Sequence, residues 1–136
     1  MEKNSFKYIS TKLNNLYFDS EKFSERIDFT LNITNNLKTN EDTNSSVIKI
    51  VALLQAKSSE DENFTSIELE AMFKVDNLID DEKLEEIVEN NKEFLNKPIL
   101  DEMTLIFGMI TGKSFKAPLI FPFSSIAEDA NEVKEN

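Results

Sequence analysis

Apolar and polar residues alternate along much of the first half of the chain. In residues 26–34 and again in residues 67–75, every second residue is apolar and mostly polar residues stand between them. A period of two is typical of a strand that buries one face. Residues 47–56 are apolar at both parities, which favours a more central strand or one whose second face is covered by a partner. The pattern therefore predicts two half-buried strands and a more central one.

The N-terminal residues predict a fourth strand that contains an irregularity. The parity of the apolar residues changes between Leu13 and Leu16, so we predict a bulge at the two asparagines between them. Polar segments at residues 35–46 and 57–63 are predicted to be loops. Because no helical pattern separates the strands, residues 5–75 are expected to form a four-stranded antiparallel meander, in which each strand pairs with the next.

Two helices are predicted after the strands. Residues 80–93 hold seven acidic and two basic residues, and their apolar spacing is that of a short acidic surface helix. Residues 97–112 predict a longer helix that is apolar on nearly all sides. Asn96 is suited to cap it, Pro98 suits its first turn, and Gly112 marks its end.

A helix that is apolar all round must be covered all round, and one sheet face covers only half of it. We therefore predict that part of this helix packs against a second copy of the chain. The alternative is that the C-terminal segment of the same chain covers it. The residues predicted to lie at the subunit interface are Ile99, Met103, Ile106, Phe107, Met109 and Ile110.

The composition excludes several classes of function. Cysteine and histidine are both absent, so the chain lacks a thiol nucleophile, a disulfide and the two commonest transition-metal ligands. It also lacks a glycine-rich phosphate loop and the motifs of hydrolases and metalloproteases. The acidic runs at residues 60–62 and 80–82 lack the central glycine of a calcium-binding loop. We expect no catalytic residues, no metal site and no cofactor, and we predict that the protein is not an enzyme.

The charge and the hydropathy narrow the choice of partners. The net charge is −11, from 15 basic and 26 acidic residues, and such a field repels nucleic acid. The N-terminus has no signal-peptide pattern, and no apolar run reaches the roughly 20 residues of a membrane span. We expect one domain, residues 1–136, in the cytoplasm, with no nucleic-acid partner and no membrane insertion.

The order of these parts resembles the SecB export chaperones and their SecB-like relatives. The resemblance covers residues 5–128. Residues 6–19 are similar to the family's first strand with its mid-strand irregularity, residues 64–75 to its fourth strand, and residues 98–123 to its interface helix and the substrate-lining loop that follows. The chain departs from the family in having no glycine at residues 71–73.

The resemblance implies an α+β fold: the four-stranded antiparallel sheet, the acidic helix, the long apolar helix, and an apolar loop with a short helix over residues 113–130. It also implies an ATP-independent holdase that binds unfolded or precursor polypeptides, assembles as a dimer or as a dimer of dimers, and serves protein export with a SecA-type motor. Glu68 and Glu70 would then be docking residues for the motor, although the solvated face of a half-buried strand predicts the same two acids. The implied polypeptide-binding residues are Phe115, Leu119, Ile120, Phe121 and Phe123.

Three alternatives remain open from the sequence. The chain is equally suited to be a SecB-like binding module dedicated to one protein partner, for example of the antitoxin type, bound at the long helix or by strand addition. A carrier of a small ligand between sheet and helix is a third option. The apolar residues after the long helix would, in the simplest case, only complete the core.

Overall fold

The computed structural model describes residues 6–23, 27–58, 63–115 and 118–124. They form an α+β domain with four strands and two helices, as predicted. A single turn of 3-10 helix, Ser20–Lys22, follows the first strand. The elements are β1 (Phe6–Phe18), β2 (Ile27–Asn40), β3 (Ser45–Ser58), β4 (Asn63–Val75), α1 (Asp81–Asn90) and α2 (Lys92–Ser114).

The four strands form one antiparallel sheet in the order β1-β4-β3-β2. The predicted meander is therefore wrong, because β1 pairs with β4 and not with β2. The most apolar strands, β3 and β4, lie at the centre, and β1 and β2 form the two edges. The connection between the edge strands is fixed to the start of β4: the Asp19 N–H donates to the Phe64 carbonyl at 2.8 Å, and the Phe23 and Phe64 rings pack edge to face.

The polar segment at residues 35–46 is mostly strand, and the prediction of a long loop there is wrong. β2 runs on to Asn40, β3 begins at Ser45, and the turn between them contains Asn44 with a φ of 50°. Asparagine tolerates this left-handed conformation. Asn35 pairs with Ile50 in the ladder. Because the ladder hydrogen bonds come from the main chain, polar side chains did not end the strand.

The predicted bulge in β1 is confirmed. The pairing of β1 with β4 shifts between Leu13 and Asn15, and it also shifts between Tyr8 and Ser10, which the sequence did not indicate. Each shift changes the face on which the following side chains lie.

One face of the sheet is covered by α2 and forms the core. The fully buried residues of β3 alternate with half-buried ones, as expected for a strand covered on one face by the helix and partly exposed on the other. The largest fully buried side chains are Phe64, Phe73, Phe107, Phe123, Ile48, Ile50, Leu54, Ile67, Leu69, Leu95, Ile99 and Met103.

α2 begins at Lys92, five residues earlier than predicted, and α1 is shorter than predicted. Leu95 is fully buried, and Phe94 packs on Phe6 and Phe73 with ring centroids about 6 Å apart. These tertiary contacts extend the helix backwards past Pro98. Asn96 is consequently a buried residue inside α2 and not its cap.

The predicted short helix at the C-terminus falls almost entirely on residues beyond 124, outside the described part of the chain. Within the described residues, neither helix has the combination of length and hydropathy that a bilayer crossing requires.

Candidate functional site

Phenylalanine rings fix α2 over the sheet at three places. All 11 phenylalanines of the chain make ring contacts, and α2 and the residue that follows it supply one ring to each group: Phe94, Phe107 and Phe115. The first group lies at the start of α2, the second in its middle and the third at its end. The groups are Phe6, Phe73 and Phe94; Phe29, Phe107, Phe121 and Phe123; and Phe18, Phe23, Phe64 and Phe115.

The segment after α2 turns back and lies along the helix. We call residues 118–123 the strap. The Thr104 hydroxyl donates to the Phe121 carbonyl at 2.8 Å and accepts from the Phe123 N–H at 3.2 Å. The Thr111 hydroxyl accepts from the Leu119 N–H at 2.8 Å. Two threonines of one helix therefore hold three main-chain groups of the strap.

The two glycines of the chain lie where the strap passes closest to α2. A Cβ atom on Gly108 would lie 2.7 Å from Cδ1 of Ile120, and one on Gly112 would lie 3.2 Å from Cβ of Pro118. Residues that are three, four, seven or eight positions apart lie on the same side of a helix. Thr104, Gly108, Thr111 and Gly112 have these spacings, so they form one face of α2. That face is the seat of the strap.

The structure places the implied polypeptide-binding residues in different environments. Phe123 is 1% exposed and belongs to the core, whereas Ile120 is 65% exposed. Phe115, Leu119 and Phe121 are half-buried. Of the five, Ile120 is therefore the one that this conformation leaves open to a partner.

Most of the residues predicted at a subunit interface are buried within the chain itself. Ile99, Met103 and Phe107 are fully buried and Ile106 nearly so, against the sheet. Ile110 is half-buried, and Met109 remains largely exposed. The strap covers a further side of α2, which is the alternative that the sequence left open. The helix therefore needs a second copy over a smaller area than its composition indicated.

An apolar surface that the sequence did not indicate lies beside the exposed side of α2. Tyr8, Leu13 and Leu16 of β1 share the helix-covered face of the sheet, because their ladder partners are the core residues Phe73, Leu69 and Ile67. α2 contacts β1. Met109 lies two residues, about 200°, round the helix from Phe107, whose ring faces Phe29 on the far edge strand. Met109, and Leu105 two residues before Phe107, therefore lie on the side of α2 away from Phe107, which the sheet leaves exposed.

We call this the β1–α2 surface. Its side chains are each between 41% and 65% exposed. Alternation does not distinguish an edge strand from a central one, so the pattern of β1 did not show that its apolar residues are exposed. The only feature of the sequence that could have indicated this exposed surface was the large number of apolar residues in a strand whose parity changes. The β1–α2 surface consists of Tyr8, Leu13, Leu16, Leu105 and Met109.

The opposite face of the sheet holds the two acids implied as a docking site. Glu68 is half-buried. The Glu70 side chain is 9% exposed and forms ion pairs with Lys12 at 3.3 Å and with Lys49 at 3.5 Å. Asn14 donates to the same carboxylate at 3.4 Å. Burial opposes ionisation, but the hydrogen bonds from Asn14 and Lys12 and the charges of the two lysines outweigh it and lower the pKa of Glu70. Glu70 thus links β1, β4 and β3 and is not a free surface charge.

Comparison with known proteins identifies the fold. No protein-family model matches the sequence, and no curated protein matches it. Among solved structures, a protein of unknown function from Streptococcus agalactiae is 16% identical with a TM-score of 0.62, over 88% of this chain and 98% of that one. The SecB-like chaperone Rv1957 of Mycobacterium tuberculosis, in complex with a ChAD peptide from the Rv1956 HigA1 antitoxin, is 13% identical with a TM-score of 0.54, over 85% of this chain and 88% of that one. The chain therefore has a SecB-like α+β fold.

Proposed function

We propose that this protein is an ATP-independent holdase that binds unfolded or precursor polypeptides without covalent chemistry. The observation that carries the proposal is the β1–α2 surface, on which five large apolar side chains are each at least 41% exposed. Apolar surface gathered in one place on a soluble protein marks a site for a partner or a ligand. A structure with the same fold holds a peptide: the complex of Rv1957 with the ChAD peptide.

The mechanism of capture follows from the chemistry of this surface. An unfolded segment exposes the apolar side chains that its own core would have buried, and each large one gains roughly 1.5–3 kcal/mol when it is fully buried. Several shallow contacts give reversible binding, since ordering the segment opposes the gain. The exposed acids of α1 and the net charge of −11 keep the complex in solution.

Self-association is part of the proposal. A second copy would cover part of the β1–α2 surface, giving a dimer or a dimer of dimers. Use of a SecA-type motor in protein export would rest on Glu68 more than on Glu70, whose carboxylate already has two lysine partners.

A dedicated binding module is the second candidate function. Rv1957 is seen with a peptide from one antitoxin, and a protein with this fold would equally serve a single partner through the same surface. Protection of unrelated clients separates the two candidates. A general holdase protects several unfolding proteins, whereas a dedicated module protects none of them and binds one partner.

The experiment combines solution mass by light scattering with suppression of aggregation of two unrelated unfolding proteins. We expect an oligomer that protects both. The double variant Leu105→Ser with Met109→Ser should lose most of the protection, while Leu78→Ser, which removes a similarly exposed apolar side chain outside the β1–α2 surface, should not. A wild-type protein that protects neither client would refute the holdase function. A double variant that loses mass but keeps protection would assign the surface to self-association alone.

A further inference from the structure

β2 is an edge strand that lacks the features by which most sheet edges are kept apart. It runs from Ile27 to Asn40 and pairs with β3 without a register shift. β1, the other edge, is interrupted by two register shifts and carries Lys7 and Lys12. Bulges, lysines and short length stop edge strands from pairing with other chains. β2 is long and regular, and its residues 29–37 include no charge and no proline, so its outer edge is suited to pair with another strand.

The outer edge of β2 offers main-chain donors and acceptors along its length. In an antiparallel sheet, alternate residues of a strand point their N–H and C=O groups to opposite sides, so the groups of β2 that do not face β3 face outwards. Among the described residues, the bonds between main-chain groups outside the helices and the sheet ladders involve none of residues 27–40. A partner strand of similar length would form about 12 main-chain hydrogen bonds with this edge.

The two charges of β2 favour a second copy of the same strand as the partner. Asp28 and Lys38 stand near opposite ends of β2 and are exposed on the same face of the sheet. In its own sheet, Lys38 stands opposite Val47. When two copies of β2 pair antiparallel with Ile33 opposite Ile33, Asp28 of each copy stands opposite Lys38 of the other. The contact then contains two pairs of opposite charge, because the pairing is two-fold symmetric.

The same register keeps the apolar residues of both copies on one face. With Ile33 at the centre, odd-numbered residues stand opposite odd-numbered ones, and the apolar ones among these pack half-buried on the core side of the sheet. Phe29 then stands opposite Leu37, and directly opposed side chains are close enough to pack. Leu31 stands opposite Asn35, which limits the affinity. Each copy therefore adds cover to half-buried apolar side chains at the edge of the other.

We propose that β2 is a self-pairing edge, at which two copies of this chain join antiparallel around Ile33 to form one sheet of eight strands, four from each copy. Because both copies keep the same face towards α2, the two-fold axis is perpendicular to the sheet. Both α2 helices then lie on one face, and β1 forms both outer edges. The two β1–α2 surfaces stay accessible at those edges. This contact is separate from the self-association proposed at the β1–α2 surface, and the inference does not rest on the holdase function.

A single cysteine reports both the pairing and its register, because the chain has no cysteine of its own. Opposed Cα atoms of an antiparallel pair lie about 4.5–5.5 Å apart, which is within the reach of a disulfide. Ile33→Cys should therefore form a covalent dimer under mild oxidation, seen on a non-reducing gel. Leu37→Cys is the matched control. It changes another half-buried apolar residue of β2, and its two copies would be about 27 Å apart along the strands, so it should not form the covalent dimer. Equal cross-linking of the two variants would overturn the proposed register.

Charge reversal tests the same contact without a cysteine. Asp28→Lys and Lys38→Asp each place like charges opposite one another in the homodimer, and each should raise its dissociation constant at least about 10-fold in sedimentation equilibrium. An equimolar mixture of the two variants should form a heterodimer, since every lysine then stands opposite an aspartate. Glu86→Lys and Lys74→Asp make the same changes of net charge at exposed residues outside β2, and they should dimerise as the wild type does.

The β2 contact is distinguished from the β1–α2 surface by repeating each measurement in the Leu105→Ser, Met109→Ser background. A dimer that persists there and cross-links through Ile33→Cys supports pairing at β2. A monomer in that background, or a mixture of the charge variants without heterodimers, would overturn the inference. Suppression of aggregation by the wild type would then still support the holdase function. A wild type that dimerises at β2 but protects no client would refute the holdase function and leave the pairing in place.

Discussion

Replacement of Asn96 by alanine should stabilise the protein, although Asn96 is a buried residue. Asn96 is 8% exposed within α2, and its side-chain oxygen is buried without a hydrogen-bond partner among the described residues. A buried polar group left unpaired costs about 1–3 kcal/mol. Asn96→Ala removes that cost, and alanine is a better residue than asparagine inside a helix by about 0.6 kcal/mol.

The cavity that the smaller alanine side chain leaves opposes this gain in stability. Alanine is smaller than asparagine by about 25 Å³, and a cavity of that size costs about 0.6 kcal/mol. The net expectation is a gain of about 1 kcal/mol in the free energy of unfolding, which raises the Tm by about 3–5 °C for a domain of this size. Urea unfolding and calorimetry would measure both quantities.

Two control variants sharpen the test. Leu95→Ala truncates the fully buried neighbour and should cost about 2–5 kcal/mol. Asn96→Asp keeps the shape but buries a charge, and it should destabilise the protein in neutral solution. The direction of the change in the free energy of unfolding for Asn96→Ala distinguishes a buried Asn96 inside α2 from an Asn96 that caps the helix. Loss of an N-cap asparagine would cost about 1 kcal/mol. A loss of that size would refute the buried, unpaired placement.

Two further predictions concern other parts of the fold. Glu70→Gln should lower the free energy of unfolding by about 1–2 kcal/mol near pH 7. Because the pKa of Glu70 is lowered in the folded state, its contribution is present above the unfolded pKa and disappears as the pH falls through the folded pKa. Denaturant unfolding at about pH 7 and about pH 3 should show the difference from wild type shrinking with acid; an equal difference at both would contradict the ion-pair assignment. Gly108→Ala should stabilise α2 by about 0.5 kcal/mol, since the helix gains about 0.8–1.0 kcal/mol and the contacted Ile120 side chain is exposed enough to rotate. A lower Tm for this variant would show that the strap is held rigidly over the glycine.

The sequence alone indicated the strands, the bulge in β1 and the absence of cysteine and histidine. The period of two along residues 27–34 and 67–75 predicted strands that the structure contains, and the parity change after Leu13 predicted a bulge that the pairing of β1 with β4 confirms. Local patterns succeed in such cases because the alternation of side chains across a pleated strand is a property of each segment by itself. The absence of cysteine and histidine likewise follows from the sequence alone.

The order of the strands was decided only by the tertiary structure. The alternation in β1 is compatible with pairing to either neighbour, and burial of the most apolar strands placed β3 and β4 at the centre. That placement exposes Tyr8, Leu13 and Leu16 at an edge. The start of α2 differs from the prediction for a related reason. Leu95 and Phe94 pack on the sheet, and this packing outweighs the helix start that Pro98 suggests.

For the candidate sites as well, the sequence indicated the region and the tertiary structure determined which residues are exposed. The sequence identified α2 and the residues after it as the region of interest, since a helix apolar on nearly all sides needs several partners. It did not determine which sides the sheet covers, which side the strap covers and which side remains free. Those assignments depend on contacts between residues far apart in sequence, such as Thr104 with Phe123 and Phe29 with Phe107. Burial is set by the whole fold, so no local pattern distinguishes an apolar residue of the core from one that binds a partner.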